Sequence, residues 1–379
     1  MKIKKSDLLL TVLFCGFLFM MLGLYLLLPK KAYSELEKDY LADAPELTME
    51  NIVSGEFDEQ VEAYLADHVP GRSFFVGVNA YYDLYSGRQV TKPVYLAKGD
   101  RLLEAPYTAD MGAISANMAK INAFAEKISQ PVDLMLVPSA GYYLQDSIVG
   151  IHDPYQDDAI IEEIYAMAGE SVQCRDLLTP FSKISDPASL YYRTDHHWTA
   201  LGAYEAYCAY MTMLGKEGVS REEFAVESHE GFLGSTYSRS GLWKIPAEPV
   251  ELWKTDTAFA VDITENKTTT TYDSLFFMDK LQELDKYTVY LGGNHGIVTI
   301  RNPEAAGKGH LLVFRDSYAN CLGTFLAHSY ETVTLVDLRY CKDPRNPVSN
   351  MVLEGEYTDI LICYSIGNFL TDENIVWLR

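Results

Sequence analysis

The residues with most chemical potential stand in two short strings. The first is Asp195-His196-His197-Trp198. In extended backbone, residues two apart share a face, so Asp195 and His197 point one way and His196 the other. A carboxylate beside an imidazole fixes its tautomer and stabilises the imidazolium formed when it takes a proton. The second string is Phe314-Arg315-Asp316-Ser317-Tyr318-Ala319-Asn320, directly after the apolar run 311–314. A serine at a strand-to-helix junction sits at the carboxyl edge of a parallel sheet, where open α/β sheets place their ligands. The helix N-terminus there offers N–H groups and partial positive charge to an oxyanion. Serine, histidine and aspartate together would support acyl transfer through a covalent acyl-serine.

Each string alone also has an ordinary structural reading. A serine after a strand usually caps the next helix, and a lone histidine is more often a hydrogen-bonded structural residue. Doubled histidines raise the question of a metal, but adjacent strand side chains diverge. There is no HExxH, and His68, His152, His229, His295, His310 and His328 lack ligand spacing. Neither a metal nor a cofactor is expected.

The elements that must position these strings follow from periodicity. A helix over about 111–128 precedes the apolar strand 132–139, and a helix near 158–169 precedes the segment 171–177. After Trp198, Thr199 is placed to cap a helix running to about Leu214. Strand character returns at 310–317, 332–338 and 359–365, with a helix from Ser317 to about Ala327. Strands alternating with helices of this length imply right-handed crossovers and a largely parallel sheet. The stretch 220–300, rich in Thr, Gly, Ser and aromatic residues, interrupts that rhythm as a β-rich insertion at one edge. Residues 29–95 read as a helical lead-in, with amphipathic helices at 56–67 and through about Leu84.

Composition narrows the class. Of 379 residues, 53 are Asp or Glu and 31 Lys or Arg, a formal charge of −22. Such a chain does not neutralise phosphates in bulk, which excludes a nucleic-acid partner. The six cysteines are scattered with no CxxC, so neither a zinc ribbon nor a thioredoxin motif is present. Residues 8–28 carry no charge. At about 1.5 Å per residue they reach roughly 32 Å, enough to cross a ~30 Å hydrocarbon core. No small-residue cleavage site follows, so the segment reads as a retained transmembrane signal anchor. Residues 1–7, with Lys2, Lys4 and Lys5, would form a short cytoplasmic tail and residues 96–379 an extracytoplasmic domain.

The string TDHHWTALGAYEAY at 194–207 resembles the signature of the DHHW family, which is related to SGNH-hydrolase-like O-acetyltransferases of alginate and other exported polysaccharides. The N-terminal anchor, ADHVPGRSFF at 66–75 and FRDSYAN extend the resemblance over most of the chain. It implies a three-layer α/β/α fold with a mainly parallel sheet, circularly permuted so that the serine comes last. Carried over residue by residue, Asp195 matches the orienting acid, His197 the base and Ser317 the nucleophile. Asn368 in YSIGNF is then the first candidate for the oxyanion amide, with Asn294 in GGNHG its rival. His196, Trp198, Arg339 and Tyr340 are candidates for the substrate side.

These readings converge on an anchored, extracytoplasmic O-acyltransferase, acting on a cell-envelope or secreted glycan. The resemblance implies a membrane-bound O-acyltransferase as the partner that supplies the acyl group. Two rivals remain at this level. An esterase would keep the same three residues and use water as acceptor. A non-catalytic glycan-binding scaffold would keep the fold with Ser317 far from His197.

Overall fold

The computed structural model describes residues 4–34, 39–87, 90–91, 93–128, 130–265, 267–342 and 348–379. The chain divides into two compact units, residues 1–91 with 238–243 and residues 92–237 with 244–379. In the first unit, the helix Lys5–Leu27 is long and apolar enough to cross a membrane and buries none of its residues. The lead-in helices form at Glu56–Asp67 and Arg72–Tyr85. Against the second of these, Trp243 stacks on Phe74, with ring centroids 5.8 Å apart. The first three residues of the expected cytoplasmic tail lie outside the described residues.

The second unit is built on one eight-stranded sheet. Its strands are β1 (Val132–Val137), β2 (Val172–Cys174), β3 (Ala260–Glu265), β4 (Thr268–Tyr272), β5 (Ile297–Arg301), β6 (His310–Arg315), β7 (Thr332–Val336) and β8 (Asp359–Ser365). They lie in the order β4-β3-β5-β7-β6-β8-β1-β2. From β7 to β2 every pairing is parallel; β5, β3 and β4 extend the edge in antiparallel pairs. The fold is therefore mixed α/β with a mainly parallel sheet, and part of the 220–300 stretch widens that sheet. The rest of the stretch includes a separate ribbon, Ala225–Phe232 paired with Glu248–Lys254.

Side-chain alternation distributes the core over both faces of the sheet. Leu134, Leu312, Phe314, Ile360 and Ile362 pack beneath helices α1 (Met111–Ile128) and α2 (Asp157–Ala166). On the opposite face, Met135, Leu311, Val313, Leu361 and Cys363 meet α3 (Ala200–Met213) and α4 (Tyr318–Leu326). Two short helices, α5 (Val348–Glu354) and α6 (Ile366–Thr371), add Val352 and Phe369 to the first face. Each large apolar side chain so buried contributes about 1.5–3 kcal/mol. Burial on both faces is also why these strands read as continuous apolar runs.

The segment expected as extended over 171–177 keeps strand form only over β2. Arg175 turns off instead to bind the buried Asp133 carboxylate through Nε (2.7 Å) and Nη2 (2.6 Å). Asp176 then accepts from Leu178 N at 2.8 Å and starts the next turn. At the start of α3, Thr199 accepts from Gly202 N at 3.2 Å, as its cap position required.

Gly202 allows α3 to lie directly on the segment that leads into the Asp-His-His string: a Cβ there would come 2.2 Å from Leu190 O. Backbone cannot yield as a flexible side chain can, so Gly202→Ala should cost about 1–3 kcal/mol. Urea unfolding checks this, and an unchanged midpoint would refute the contact.

Candidate active site

Two carboxylates organise the centre. Residues 193–197 reverse direction between Tyr191 and Trp198, which form an isolated antiparallel bridge. Tyr192 N donates to His197 O (3.2 Å), and Thr199 N to Leu190 O (2.9 Å). Buried Glu248 braces the reversal by accepting from Arg193 N (2.8 Å), Thr194 N (2.6 Å) and Thr194 Oγ1 (2.6 Å). An extended strand was expected here; in a reversal the two-residue period does not hold. His196 and His197 consequently lie on one side, their ring centroids 3.9 Å apart.

Asp195 is buried within this loop. Its Oδ2 accepts from His197 Nδ1 at 2.6 Å, and its Oδ1 accepts from Ser235 N (2.7 Å) and Ser235 Oγ (2.6 Å). With the Ser235 hydroxyl proton committed to Asp195, the 2.5 Å contact of His196 Nδ1 with Ser235 Oγ must be an N–H donation. Gly234 makes this approach possible, because a Cβ on it would lie 2.1 Å from Asp195 Cβ.

Ser317 follows β6 and precedes α4. Three serines end parallel strands of this sheet, and they behave differently. Ser139 after β1 accepts from Tyr142 N, and Ser365 at the end of β8 accepts from Asn368 N, both as helix caps. Ser317 caps nothing. Its Oγ–H points instead to His197 Nε2, which accepts at 2.7 Å. Ser317 N–H has no acceptor among the described residues. A scaffold that merely kept the fold would be expected to separate these two side chains.

The residue before the serine supplies the second clamp. Asp316 Oδ2 accepts from Ser365 N (2.8 Å), Ser365 Oγ (2.7 Å) and Asn368 Nδ2 (2.8 Å), while Oδ1 accepts from Tyr318 N (3.0 Å). Asn368 is thus brought beside the strand end that carries Ser317. Asn294 lies on the other flank, its Oδ1 accepting from Arg315 Nη1 (3.1 Å) and Asn320 Nδ2 (3.0 Å). Arg339 is held by Asp337, through Nε to Oδ1 (2.9 Å) and Nη2 to Oδ2 (2.6 Å). Tyr340 beside it is 59% exposed.

Trp198 corrects its expected place on the substrate side. The indole is fully buried, and its Nε1–H donates to Tyr318 O at 3.0 Å. It is a structural pin between the reversal and the start of α4. Sequence reading missed Ser235, Glu248 and Tyr287. The Tyr287 ring stacks on His197 at 3.8 Å and 11°, fixing the imidazole plane. Ser235, Glu248 and Tyr287 are all distant in sequence from the residues they hold, and none carried a local signal. Tyr318, within the quoted FRDSYAN string, donates its hydroxyl to His196 O.

The electrostatics suit a neutral imidazole. Burial lowers the His197 pKa, and His196 lowers it further, against the raising pull of Asp195. Burial alone would raise Asp195, but His197, His196 and their hydrogen bonds hold it well below the usual carboxylate range. Asp195, His196 and His197 also offer ligand atoms within 4.8 Å of one another. Both His197 nitrogens are already engaged, by Asp195 and Ser317, so the trio as arranged does not fit a metal.

The site is thus a hydrogen-bonded chain of Asp195, His197 and Ser317 at the carboxyl edge of a mainly parallel sheet. Residues 103–336 match the profile of the DHHW protein family, more than half of the chain, and the chain belongs to that family. A DHHW family protein from Eubacterium siraeum is similar at TM-score 0.64 and 23% identity, over 76% of this chain and 95% of that one. Bacillus cereus PatB1 bearing a sulfonyl adduct is similar at TM-score 0.63 and 18% identity, over 76% and 98%. The O-acetyltransferase domain of Pseudomonas putida AlgJ gives TM-score 0.44 and 16% identity, over 75% and 98%. No curated protein matches the chain in sequence.

Replacing Asp195 by Asn removes the group that raises the His197 pKa. The imidazole should then titrate still lower, as followed by its ring nitrogen resonances in NMR. An unchanged or raised titration would contradict the pairing.

Proposed function

We propose that this protein is a membrane-anchored O-acyltransferase that works through an acyl-serine and passes the acyl group to a glycan hydroxyl outside the cytoplasm. The observation that carries the reading is the buried chain Asp195 Oδ2–His197 Nδ1 (2.6 Å) and His197 Nε2–Ser317 Oγ (2.7 Å). The helix Lys5–Leu27 supports the anchor. The family resemblance supports the glycan acceptor and a membrane-bound O-acyltransferase that delivers the acyl group.

In this mechanism Ser317 Oγ attacks the acyl carbonyl carbon while its proton passes to His197 Nε2. Asp195 holds the Nδ1–H tautomer and stabilises the imidazolium, and it stays ionised. The Ser317 N–H and the Asn368 Nδ2 proton not given to Asp316 steady the oxyanion. When the tetrahedral species collapses, the donor's leaving group departs with the proton from His197. A glycan hydroxyl then attacks the acyl-serine, giving its proton to His197. Collapse of the second tetrahedral species returns that proton to Ser317 Oγ and frees the esterified glycan. Transfer rather than hydrolysis requires that water be kept from the acyl-serine.

A chromogenic acetyl ester offered to the full chain in detergent tests the serine. Ser317→Ala and His197→Ala should each lower acetyl release by at least about 10³-fold. Intact-mass analysis should find one acetyl group on wild type and none on Ser317→Ala. Equal rates in wild type and Ser317→Ala, with no acyl-enzyme, would overturn the reading. Adding a glycan should divert acetyl from water to the sugar; release of free acetate alone would favour an esterase.

The pH profile follows from His197. A base must be neutral to act, and burial sets its pKa below the ordinary value of 6.5. The acid limb of kcat/KM, which reports the free enzyme, should therefore have its midpoint below pH 6.5. An acid limb centred above 6.5 would contradict a buried, neutral His197.

A further inference from the structure

The relay at the centre is double. Asp195 Oδ2 accepts directly from His197 Nδ1 at 2.6 Å. Its Oδ1 accepts from Ser235 Oγ at 2.6 Å, and that oxygen takes the His196 Nδ1–H at 2.5 Å. One carboxylate thus fixes the tautomer of two imidazoles, and in each the lone pair is left on Nε2. The His197 lone pair is engaged by the Ser317 hydroxyl. No described residue donates to His196 Nε2, and the side chain is 24% exposed rather than sealed in.

The two lone pairs face the same side. Both Nδ1 edges meet the one Asp195 carboxylate, at 2.6 Å for His197 and 3.3 Å for His196. The rings lie 3.9 Å apart with their planes 36° from parallel. Nε2 sits across an imidazole from Nδ1, so both Nε2 edges are turned away from Asp195. For His197 that is the edge met by Ser317. Tyr287, stacked on His197 at 3.8 Å and 11°, and His196 cover the two faces of that ring and leave this edge open. The His196 backbone is held too, its O accepting from the Tyr318 hydroxyl. A phenyl ring would cover His197 equally well; the exposed nitrogen is what covering alone does not require.

We infer that His196 binds the acyl acceptor, its Nε2 taking a hydrogen bond from the hydroxyl next to the one acylated, so that the acceptor is a vicinal diol of a sugar. The inference rests on the reading of Ser317 as the acyl-transfer nucleophile. A lone pair needs a donor, which an acyl carbonyl lacks and an acceptor hydroxyl has. Once Ser317 is acylated, its hydroxyl proton is gone and His197 Nε2 is bare as well. Two neighbouring lone pairs then match two neighbouring O–H groups. One hydroxyl oxygen bonds to the acyl carbon while its proton passes to His197 Nε2. Collapse breaks the bond from that carbon to Ser317 Oγ, and Oγ takes the proton from His197. The second hydroxyl keeps its proton throughout and fixes which oxygen attacks.

The test uses the full chain in detergent, a chromogenic acetyl ester, and two isomeric acceptors, cis-1,2- and cis-1,4-cyclohexanediol. These differ only in whether the hydroxyls are adjacent. Monoacetate formed is divided by acetate released, a ratio that does not depend on how much of each variant is folded. Wild type should favour the 1,2-diol at least about fivefold. His196→Gln places an acceptor oxygen near the Nε2 position and should keep the preference. His196→Asn can replace only the Nδ1–H given to Ser235 and should lose it. A residue that merely held Ser235 would show the reverse. Equal use of the two diols by wild type, a preference kept by His196→Asn, or one lost in His196→Gln would each overturn the inference. Intact mass separates the two readings: these outcomes beside an acetylated Ser317 sink the role of His196 alone, whereas wild type without acetyl on Ser317 sinks both.

Discussion

A buried carboxylate without partners is among the least tolerable things in a folded chain, costing several kcal/mol. Two such carboxylates flank the candidate centre, and much of the surrounding architecture serves to satisfy them. Asp195 draws in His197 and Ser235, and so fixes the imidazole loop against a segment forty residues away in sequence. Asp316 draws in Ser365, Asn368 and Tyr318, and so locks the end of β6 to the end of β8. The 2.7 Å contact between His197 and Ser317 is where the two clamps meet.

Backbone conformation explains why Ser317 differs from its neighbours. Ser139 and Ser365 have the extended backbone of a cap, whereas Ser317 is already helical (φ −66°, ψ −21°), and the Asn320 N–H that a cap would take goes to the Ser317 backbone O at 3.1 Å, which leaves the hydroxyl free of capping. Ser139 and Ser365, which cap their helices, have hydroxyls engaged by backbone. A strand-end serine with helical rather than extended backbone can turn its hydroxyl toward an imidazole. Tyr287 and Trp198 then hold the imidazole plane and the loop, leaving that ring little freedom to turn away.

The central strands and helices were legible because both-face burial writes long apolar runs, and 3.6-residue spacing marks the helices on either side. Asp195, His197 and Ser317 were legible as residue types, and their order followed from the family resemblance. Other parts depended on tertiary contacts that leave no local trace. The strand expected at 171–177 stops early because Arg175 leaves to pair with Asp133. The facing of His196 went wrong because Glu248, distant in sequence, bends the loop. Trp198 looked like a sugar platform by type, and only the packing shows it fully enclosed. Tyr287 stacks on His197 from an irregular segment where no periodicity could have marked it.

The position of β8 has a consequence for how the molecule comes into being. It is the last strand made, yet it lies inside the sheet, between β6 and β1. Until residues 359–365 emerge, β1 and β6 have no shared neighbour and the parallel core stays split. Asp316 also lacks three of its four donors until then, because they come from Ser365 and Asn368. Closing so distant a pairing is slow relative to local folding. The clamp that sets the backbone beside Ser317 is therefore completed only once residues 359–368 have joined the sheet.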